Sequence, residues 1–500
     1  MPINLIACVA NYKNRLVIGK NNDLLVKLKE DLKFFKNITS GNLSGAAVGE
    51  SQNIVVMGRK TYYSIPNEFR PLKNRINFVL TEDKILIKKN KKTKSFDDQQ
   101  PYFMTFKHFK KLYIKNPTLN IFVIGGGQIY DLFLDLGGIM APSTLYITEL
   151  NGVKFNQDDN LTYMKNFDWK YKLIGYSEKI VQNEYSYRFL KYIKNTNVYP
   201  FTDEYKYLEL ANQILENGNV RDDRTGVGTI STFGSQMRFD ISNGTVPLLT
   251  TKRVPFKTII TELLWMMSGN THNKYLTDYG VHIWDGNTSR EFLDKRGLEH
   301  YEEGVLGPGY GFQIRHQGAK YCQAFADTRN INTSKIGGFD QLKYIEDLLQ
   351  NDPYSRRIMM SYWNPIEFDK TALLPCHYSI QFYVEEINGI KYLSGMFNMR
   401  SSDVFLGLPF NIVFYSILIH ILCLRHNLKP KELIYTGGDI HIYNNHISQI
   451  KQQLERIPRP FPKMKLHESL KTKDWKEINI NDFELVGYFP AGIIKGQMAV

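Results

Sequence analysis

Short apolar runs and amphipathic stretches alternate along the chain, and the two rhythms separate strands from helices. Residues 3–10 are apolar almost throughout, as a central strand buried on both faces is. Further strands are predicted at 53–57, 76–80, 120–124, 171–176 and 185–192. Residues 30–39 place Leu32, Phe35 and Ile38 on one side, which predicts a helix with one buried face, and 204–216 repeats the helical pattern. Residues 17–23 are rich in Gly and Asn and predict a loop. The longest apolar stretch, 410–424, contains Asn411, Ser416 and His420 and falls short of the roughly 20 residues that span a bilayer, so it predicts a buried helix. The strand at 120–124 leads into Gly125-Gly126-Gly127 and a helix from Gln128. Strand, glycine turn, helix is a phosphate-binding layout, and equally a plain tight turn. It is not the dinucleotide fingerprint, whose third glycine would fall at Tyr130.

The 500 residues suffice for two to four domains. Residues 195–200 look like a short connection, which sets expected domains at 1–195 and 196–500. The N-terminal run lacks a basic region and a cleavage site, so it predicts a strand and not a signal peptide. The four cysteines (Cys8, Cys322, Cys376, Cys423) show no metal-binding spacing, so a reducing, cytoplasmic setting and no metal are expected. The net charge of +13 either attracts polyanions, nucleic acid or phosphorylated and polyglutamylated small molecules, or reflects lysine-rich composition alone. The lysine run at 88–94 carries the same two readings, a nucleic-acid patch or a solvated loop.

Cys376 stands in Leu374-Pro375-Cys376-His377, with Arg356-Arg357 upstream and Arg400-Ser401-Ser402-Asp403 downstream. Alone, such a cysteine is more often a buried structural thiol; cationic neighbours are what lower a thiol's pKa and make it a nucleophile. Its surroundings decide between the two. Trp363-Asn364-Pro365, Gln381-Phe382-Tyr383-Val384, Asp403-Val404-Phe405-Leu406-Gly407-Leu408-Pro409-Phe410-Asn411 and Gly437-Gly438-Asp439-Ile440-His441-Ile442-Tyr443 follow in order. From about residue 200 onward the chain resembles the thymidylate synthases. The resemblance implies an α+β domain in which Cys376 attacks C6 of dUMP. Arg224, Arg400 and Ser401 would bind the phosphate, with Arg356 and Arg357 reaching in from the other subunit of a homodimer. Asn411 would read the uracil edge, His441 and Tyr443 the ribose, and His377 would join the nucleotide site. Glu262, Tyr310 and Asp403 would carry the proton network, with Asp403 also against the nucleotide. Trp284, Asn287, Gly407 and Tyr488 would form the folate side, where 5,10-methylenetetrahydrofolate binds.

Residues 1–195 resemble the dihydrofolate reductases, on Val17-Ile18-Gly19-Lys20, Asp31-Leu32-Lys33-Phe34-Phe35, Val56-Met57-Gly58-Arg59-Lys60-Thr61, Arg70-Pro71-Leu72-Lys73-Asn74-Arg75, Gly125-Gly126-Gly127-Gln128-Ile129-Tyr130 and Leu145-Tyr146-Ile147-Thr148. The resemblance implies an α/β domain with a mostly parallel twisted sheet flanked by helices, and a cis peptide at Gly125–Gly126. Asp31, helped by Thr148, would hold the pterin and promote its protonation. Cys8, Phe35, Ile65 and Ile124 would line the folate pocket, and Arg75 would pair with the folate α-carboxylate. NADPH would lie against Ala10, Ile18, Gly58, Arg59, Lys60, Thr61, Leu80, Thr81, Gly125, Gly126, Gly127, Gln128, Ile129 and Tyr130.

The sequence departs from these patterns in places. Leu25-Val26 stand where the reductases carry Pro-Trp, and Lys29 where a second proline is common; Met399 replaces a glutamine and Ile314 a tryptophan of the synthases. The Val26 change leaves a second reading, an active synthase with a weak reductase half that serves as a folate-binding module. A third is a basic nucleic-acid-binding protein. Asn411 speaks against pyrimidine hydroxymethylation, where an aspartate would suit cytosine.

Overall fold

The computed structural model describes residues 3–40, 53–89, 96–115, 120–167, 170–194 and 202–499. It divides into two compact units, Met1–Phe201 and Thr202–Val500. The expected junction after residue 195 and most of the lysine run, 90–94, lie outside the described residues.

The first unit is built on one sheet, with strands in the order Tyr171–Tyr176, Tyr185–Lys194, Thr144–Asn151, Ile3–Tyr12, Ile121–Gly125, Ile54–Gly58, Ile76–Leu80 and Pro101–Met104. From Thr144–Asn151 to Pro101–Met104 neighbouring strands run parallel, and the two strands at the other edge are antiparallel. The apolar run at the start of the chain occupies the centre, where continuous burial requires such a sequence. The expected loop at 17–23 is instead largely strand: Arg15–Lys20 pairs back on Ile3–Tyr12, and only Asn21 and Asn22, both at positive φ, make the turn. Asparagine tolerates that conformation better than most residues, which is why the loop signal was real but shorter than its composition suggested. The helix Lys29–Ser40 buries Ile38, while Leu32, expected on the inner face, is 47 % exposed.

In the second unit the strands lie in the order Asn219–Arg221, Thr229–Asp240, Lys429–Tyr443, Ile390–Asp403, His377–Ile387 and Met359–Ser361. Only Ile390–Asp403 and Lys429–Tyr443 pair in parallel, and the helix Gly407–Arg425 forms the crossover that a parallel pair needs. By length and apolarity that helix resembles a membrane span, with a mean hydropathy of 1.9, but it is buried in the core against Phe256–Met267 and one sheet face. The opposite face carries the cross-strand row Met359, Gln381, Met396 and Ile434, none of them buried, with Tyr383 67 % exposed nearby. Buried Glu204, at the start of helix Glu204–Asn217, accepts from the backbone N–H groups and the hydroxyls of Thr250 and Thr251, and so fixes the approach to Lys252.

Candidate active sites

Cys8, Thr148 and Phe189 lie side by side on three adjacent strands, so their side chains share one sheet face. The helix Lys29–Ser40 crosses that face. Asp31 in its first turn, a position the helix dipole favours for an acid, accepts a 2.5 Å hydrogen bond from Thr148 Oγ1. Burial raises the Asp31 carboxyl above its usual range, with the threonine bond opposing, and burial beside Asp31 pushes the Cys8 thiol well up. Phe35, Ile65 and Ile124 pack on one apolar cluster. Arg75 is buried, donates from Nη1 to Thr39 Oγ1 at 2.7 Å and from Nε to Lys73 O at 3.1 Å, and has no carboxylate partner among the described residues. A buried guanidinium without a counter-ion is suited to an anionic ligand group.

Of the expected cofactor residues, Gly58, Thr61, Gly125, Gly126, Ile129 and Tyr130 come together where the strands Ile54–Gly58 and Ile121–Gly125 end side by side. The Gly125–Gly126 peptide is cis. A Cβ on Gly126 would stand 3.0 Å from Thr61 Oγ1, and one on Gly127 only 2.2 Å from Tyr163 O, so the backbone itself forms the floor of this cradle. Arg59 pairs with Asp83 at 3.0 Å, and Asp83 N–H donates to Thr81 Oγ1, which brings these two expected phosphate contacts together. Ala10 and Leu80 are buried, Ile18 is half-buried, Lys60 and Gln128 are exposed, and Gly58 lies against Ile129. Tyr130 is buried and donates to Ile6 O at 2.7 Å, so its hydroxyl is committed to the sheet.

In the synthase unit Cys376 directly precedes strand His377–Ile387. Its N–H donates to Tyr310 Oη at 2.7 Å, its carbonyl accepts from Arg400 N–H, and Arg400 Nε donates to Pro375 O at 2.8 Å. The thiol lies within the field of Arg400 and Arg224, which favour the thiolate, yet burial outweighs them and its pKa is raised. Of the arginines that flank Cys376 in sequence, Arg400 is beside the thiol, and it does not offset the burial. Trp284 Nε1 donates to Glu262 Oε1 at 2.9 Å, and burial carries the Glu262 carboxyl to about 7. Trp284, Tyr310 and His377 form a ring series, with His377 stacked at 4.3 Å on Tyr310. His377 is buried, pushed down to about 3, and has its Nδ1 2.6 Å from Tyr415 Oη, so it is neutral and braced from within.

Ser401 and Asp403 end strand Ile390–Asp403, and Asp403 Oδ1 accepts from the N–H groups of Phe405 and Leu406 as the chain turns into the helix beginning at Gly407. Asn411 in that helix donates weakly to Met399 Sδ at 3.7 Å, so the methionine standing for a glutamine still offers a soft acceptor. His441 Nδ1 is 2.9 Å from Asp439 Oδ1, and the His441 and Tyr443 rings are 5.0 Å apart; burial carries the Tyr443 phenol to about 12. Asn287 is buried in the turn Gly286–Thr288. Tyr488 Oη donates to Leu249 O at 2.8 Å and accepts from Val254 N–H at 3.0 Å. Arg224 rests 5.7 Å from the Phe292 ring. Arg356 and Arg357 are exposed and take no part in the Cys376 cluster of their own chain.

The matches to known proteins agree with this geometry. The dihydrofolate reductase family model matches residues 3–194, and the thymidylate synthase family model matches residues 205–500. A bifunctional dihydrofolate reductase-thymidylate synthase of Paramecium tetraurelia is 40 % identical over 97 % of this chain and 96 % of its own length. The chain belongs to the bifunctional dihydrofolate reductase–thymidylate synthases. Proteins of the same name from Zea mays (37 % identical, covering 97 % of this chain and 94 % of the maize protein) and Leishmania major (36 %, covering 97 % and 93 %) align equally fully. Both halves are therefore enzymes, an oxidoreductase that uses NADPH and folate and a methyltransferase that uses methylenetetrahydrofolate. Neither the folate-binding-module reading nor the nucleic-acid reading is favoured.

Two residues of this bifunctional enzyme carry no sequence signal of their own. Tyr187 packs with Leu28, Leu150, Leu25 and Val26; its buried hydroxyl has no hydrogen-bond partner among the described residues, and it feels the charge of Asp31. His446 is fully buried beside Asp403. A lone tyrosine or histidine on an apolar strand or turn is ordinary core, and only its neighbours in space single it out.

Proposed function

We propose that the residues gathered in each unit perform its half of one cycle: dUMP and methylenetetrahydrofolate give dTMP and dihydrofolate, and dihydrofolate returns to tetrahydrofolate. In the reductase unit Asp31, its carboxyl raised above the usual range by burial and oriented by Thr148, binds the pterin edge and promotes its protonation. Arg75 takes the folate α-carboxylate, for which its buried guanidinium, without a carboxylate partner among the described residues, is suited. NADPH supplies the hydride. Gly125, Gly126, Gly127, Thr61 and Arg59 would hold it against the glycine cradle.

In the synthase unit Cys376 Sγ adds to C6 of uracil, which makes C5 nucleophilic enough to take the one-carbon unit. Arg400 and Arg224, joined by the dUMP phosphate, hold the nucleotide, and Asn411 selects uracil. Glu262, neutral to about 7 and bonded to Trp284, and Tyr310 relay protons during loss of the C5 hydrogen. Methylenetetrahydrofolate supplies the carbon and, as tetrahydrofolate, the hydride. Elimination of Cys376 frees dTMP and dihydrofolate.

The enzyme works as a C2 dimer through the unburied sheet face around Met359, Met396 and Ile434, and Arg356 and Arg357 complete the partner's phosphate site. Their exposure outside the site of their own chain supports this. We place the enzyme in the cytoplasm. The bonds of Cys376 to Tyr310 and Arg400, with Glu262 bonded to Trp284 beside Tyr310, carry the reading of the synthase half. The test supplies dUMP, methylenetetrahydrofolate and NADPH together: NADPH is consumed in step with dTMP, Asp31→Asn lets dihydrofolate accumulate, and Cys376→Ala stops both. Formation of dTMP by Cys376→Ala sinks the assignment.

A further inference from the structure

Residues 488–497 cross the synthase unit as an extended segment held by a series of donors. Arg459 Nη1 donates to the carbonyls of Phe489 at 2.6 Å and Pro490 at 2.9 Å, Arg456 Nη1 to Gly492 O at 2.6 Å, and Asn445 Nδ2 to Gln497 O at 3.2 Å. Near its end the segment meets a stack of three side chains. Lys252 Nζ sits 3.6 Å over the Phe405 ring, and the Phe405 and His446 rings are 4.9 Å apart. Gly496 lies directly on this stack: a Cβ there would stand 2.6 Å from Phe405 Cε1 and 3.0 Å from His446 Nε2.

His446 presents a different partner at each ring nitrogen. Nε2 is 2.8 Å from Gln497 O, a carbonyl that only accepts, so Nε2 carries the proton. Nδ1 has no hydrogen-bond partner among the described residues and lies 4.0 Å from Asp403 Oδ1. One buried imidazole therefore hydrogen-bonds the terminal segment and packs beside the carboxylate at the end of strand Ile390–Asp403. We propose that His446 is a positioning residue of the synthase reaction, a latch that seats Gly496 and Gln497 against Phe405 and fixes their distance from Asp403. The proposal rests on the reading of Tyr488 as a folate-side group and of Asp403 as part of the proton network. The latch touches none of Cys376, Arg400 or Asn411; its one nucleotide-side ring contact, the edge-on approach of His446 to Tyr443 at 6.0 Å, is kept when a phenyl ring replaces the imidazole, so losing the donor alone weakens the enzyme toward folate more than toward dUMP.

The test uses the full chain. His446→Phe keeps the ring stack and removes the donor; it raises the KM for methylenetetrahydrofolate about tenfold, the scale of one hydrogen bond, while the Kd for dUMP by calorimetry stays within about twofold. His446→Gln, which retains a donor, recovers most of the loss. Gly496→Ala leaves His446 in place, wedges the segment off the stack, and raises the same KM. A dUMP affinity that falls together with the folate KM effect reveals a merely structural role and overturns the latch, as does a normal folate KM in both His446→Phe and Gly496→Ala. Should His446→Phe fail to fold, Gly496→Ala decides alone. Tyr488→Phe separates the two layers: an unchanged folate KM there refutes the folate-side reading of Tyr488 and not the tether of the segment, which protease cleavage near residue 495 reports independently.

Discussion

The reductase unit gathers Asp31, Thr148, Cys8 and Arg75 from one sheet and one helix of a single chain, whereas the synthase unit gathers Cys376, Tyr310, Glu262 and Arg400 and leaves Arg356 and Arg357 exposed. The two carboxylates repeat the contrast. Asp31 is half-buried with one hydroxyl donor, open to a ligand; Glu262 is buried beneath an indole N–H, already enclosed before any ligand arrives. A site on one sheet face can be complete in one chain. In the proposed dimer, a phosphate shared between four arginines would be fully held only where the surface that carries two of them meets its partner.

The largest effect separates the halves outright. Cys376→Ala abolishes dUMP-dependent dihydrofolate formation and leaves NADPH oxidation with added dihydrofolate at the wild-type rate. Mixed after unfolding with Arg356→Ala chains, it regains roughly a quarter of wild-type synthase activity, because half the random dimers hold one intact site. No recovery on mixing means that the arginines act within their own chain. Asp31→Asn lowers the reductase rate by about 10²–10⁴ and spares the synthase. Because the Asp31 pKa is raised, wild-type reductase turnover falls as pH rises through it, and stopped-flow rates of the variant lack that limb. Glu262→Gln bears on stability. With a folded pKa of about 7 above the ordinary 4.5, the advantage of the neutral acid is complete below 4.5 and lost as pH rises through about 7. Calorimetric Tm of the synthase transition should therefore improve in the variant, relative to wild type, between pH 6 and 8. The smallest effect is at Tyr187. Removing its unpaired hydroxyl in Tyr187→Phe should change stability by no more than about 1 kcal/mol, toward stabilisation, in a urea titration. A loss of several-fold more would reveal a buried water bonded there.

Strands and helices whose burial is continuous were legible in the sequence: residues 3–10, 76–80 and 410–424 each became the predicted element. The Arg15–Lys20 strand was not, because Gly19 and the following asparagines masked a short run whose pairing is set by Ile3–Tyr12. Leu32 was misplaced for a related reason, since helical periodicity gives a face but not what lies opposite it. Cys376, Asp31 and Glu262 stand in motifs dense enough to read. The raised thiol of Cys376 could not be read, because desolvation depends on side chains distant in sequence and outweighed the arginines that are near. Leu25 and Val26, the most conspicuous departure, fill an apolar cluster with Leu28, Leu150 and Tyr187, a compensation visible only in three dimensions.

The central place of Ile3–Tyr12 has a consequence for biosynthesis. Its end, Ala10–Tyr12, pairs at once with Arg15–Lys20, but its two parallel neighbours, Ile121–Gly125 and Thr144–Asn151, are synthesised more than a hundred residues later. Once Tyr185–Lys194 has emerged, the reductase sheet has every strand it needs while most of the synthase is still untranslated. The synthase unit waits at least until residue 497, whose carbonyl bonds His446. The strands of the reductase sheet are thus all on hand before the synthase unit can close its last contacts.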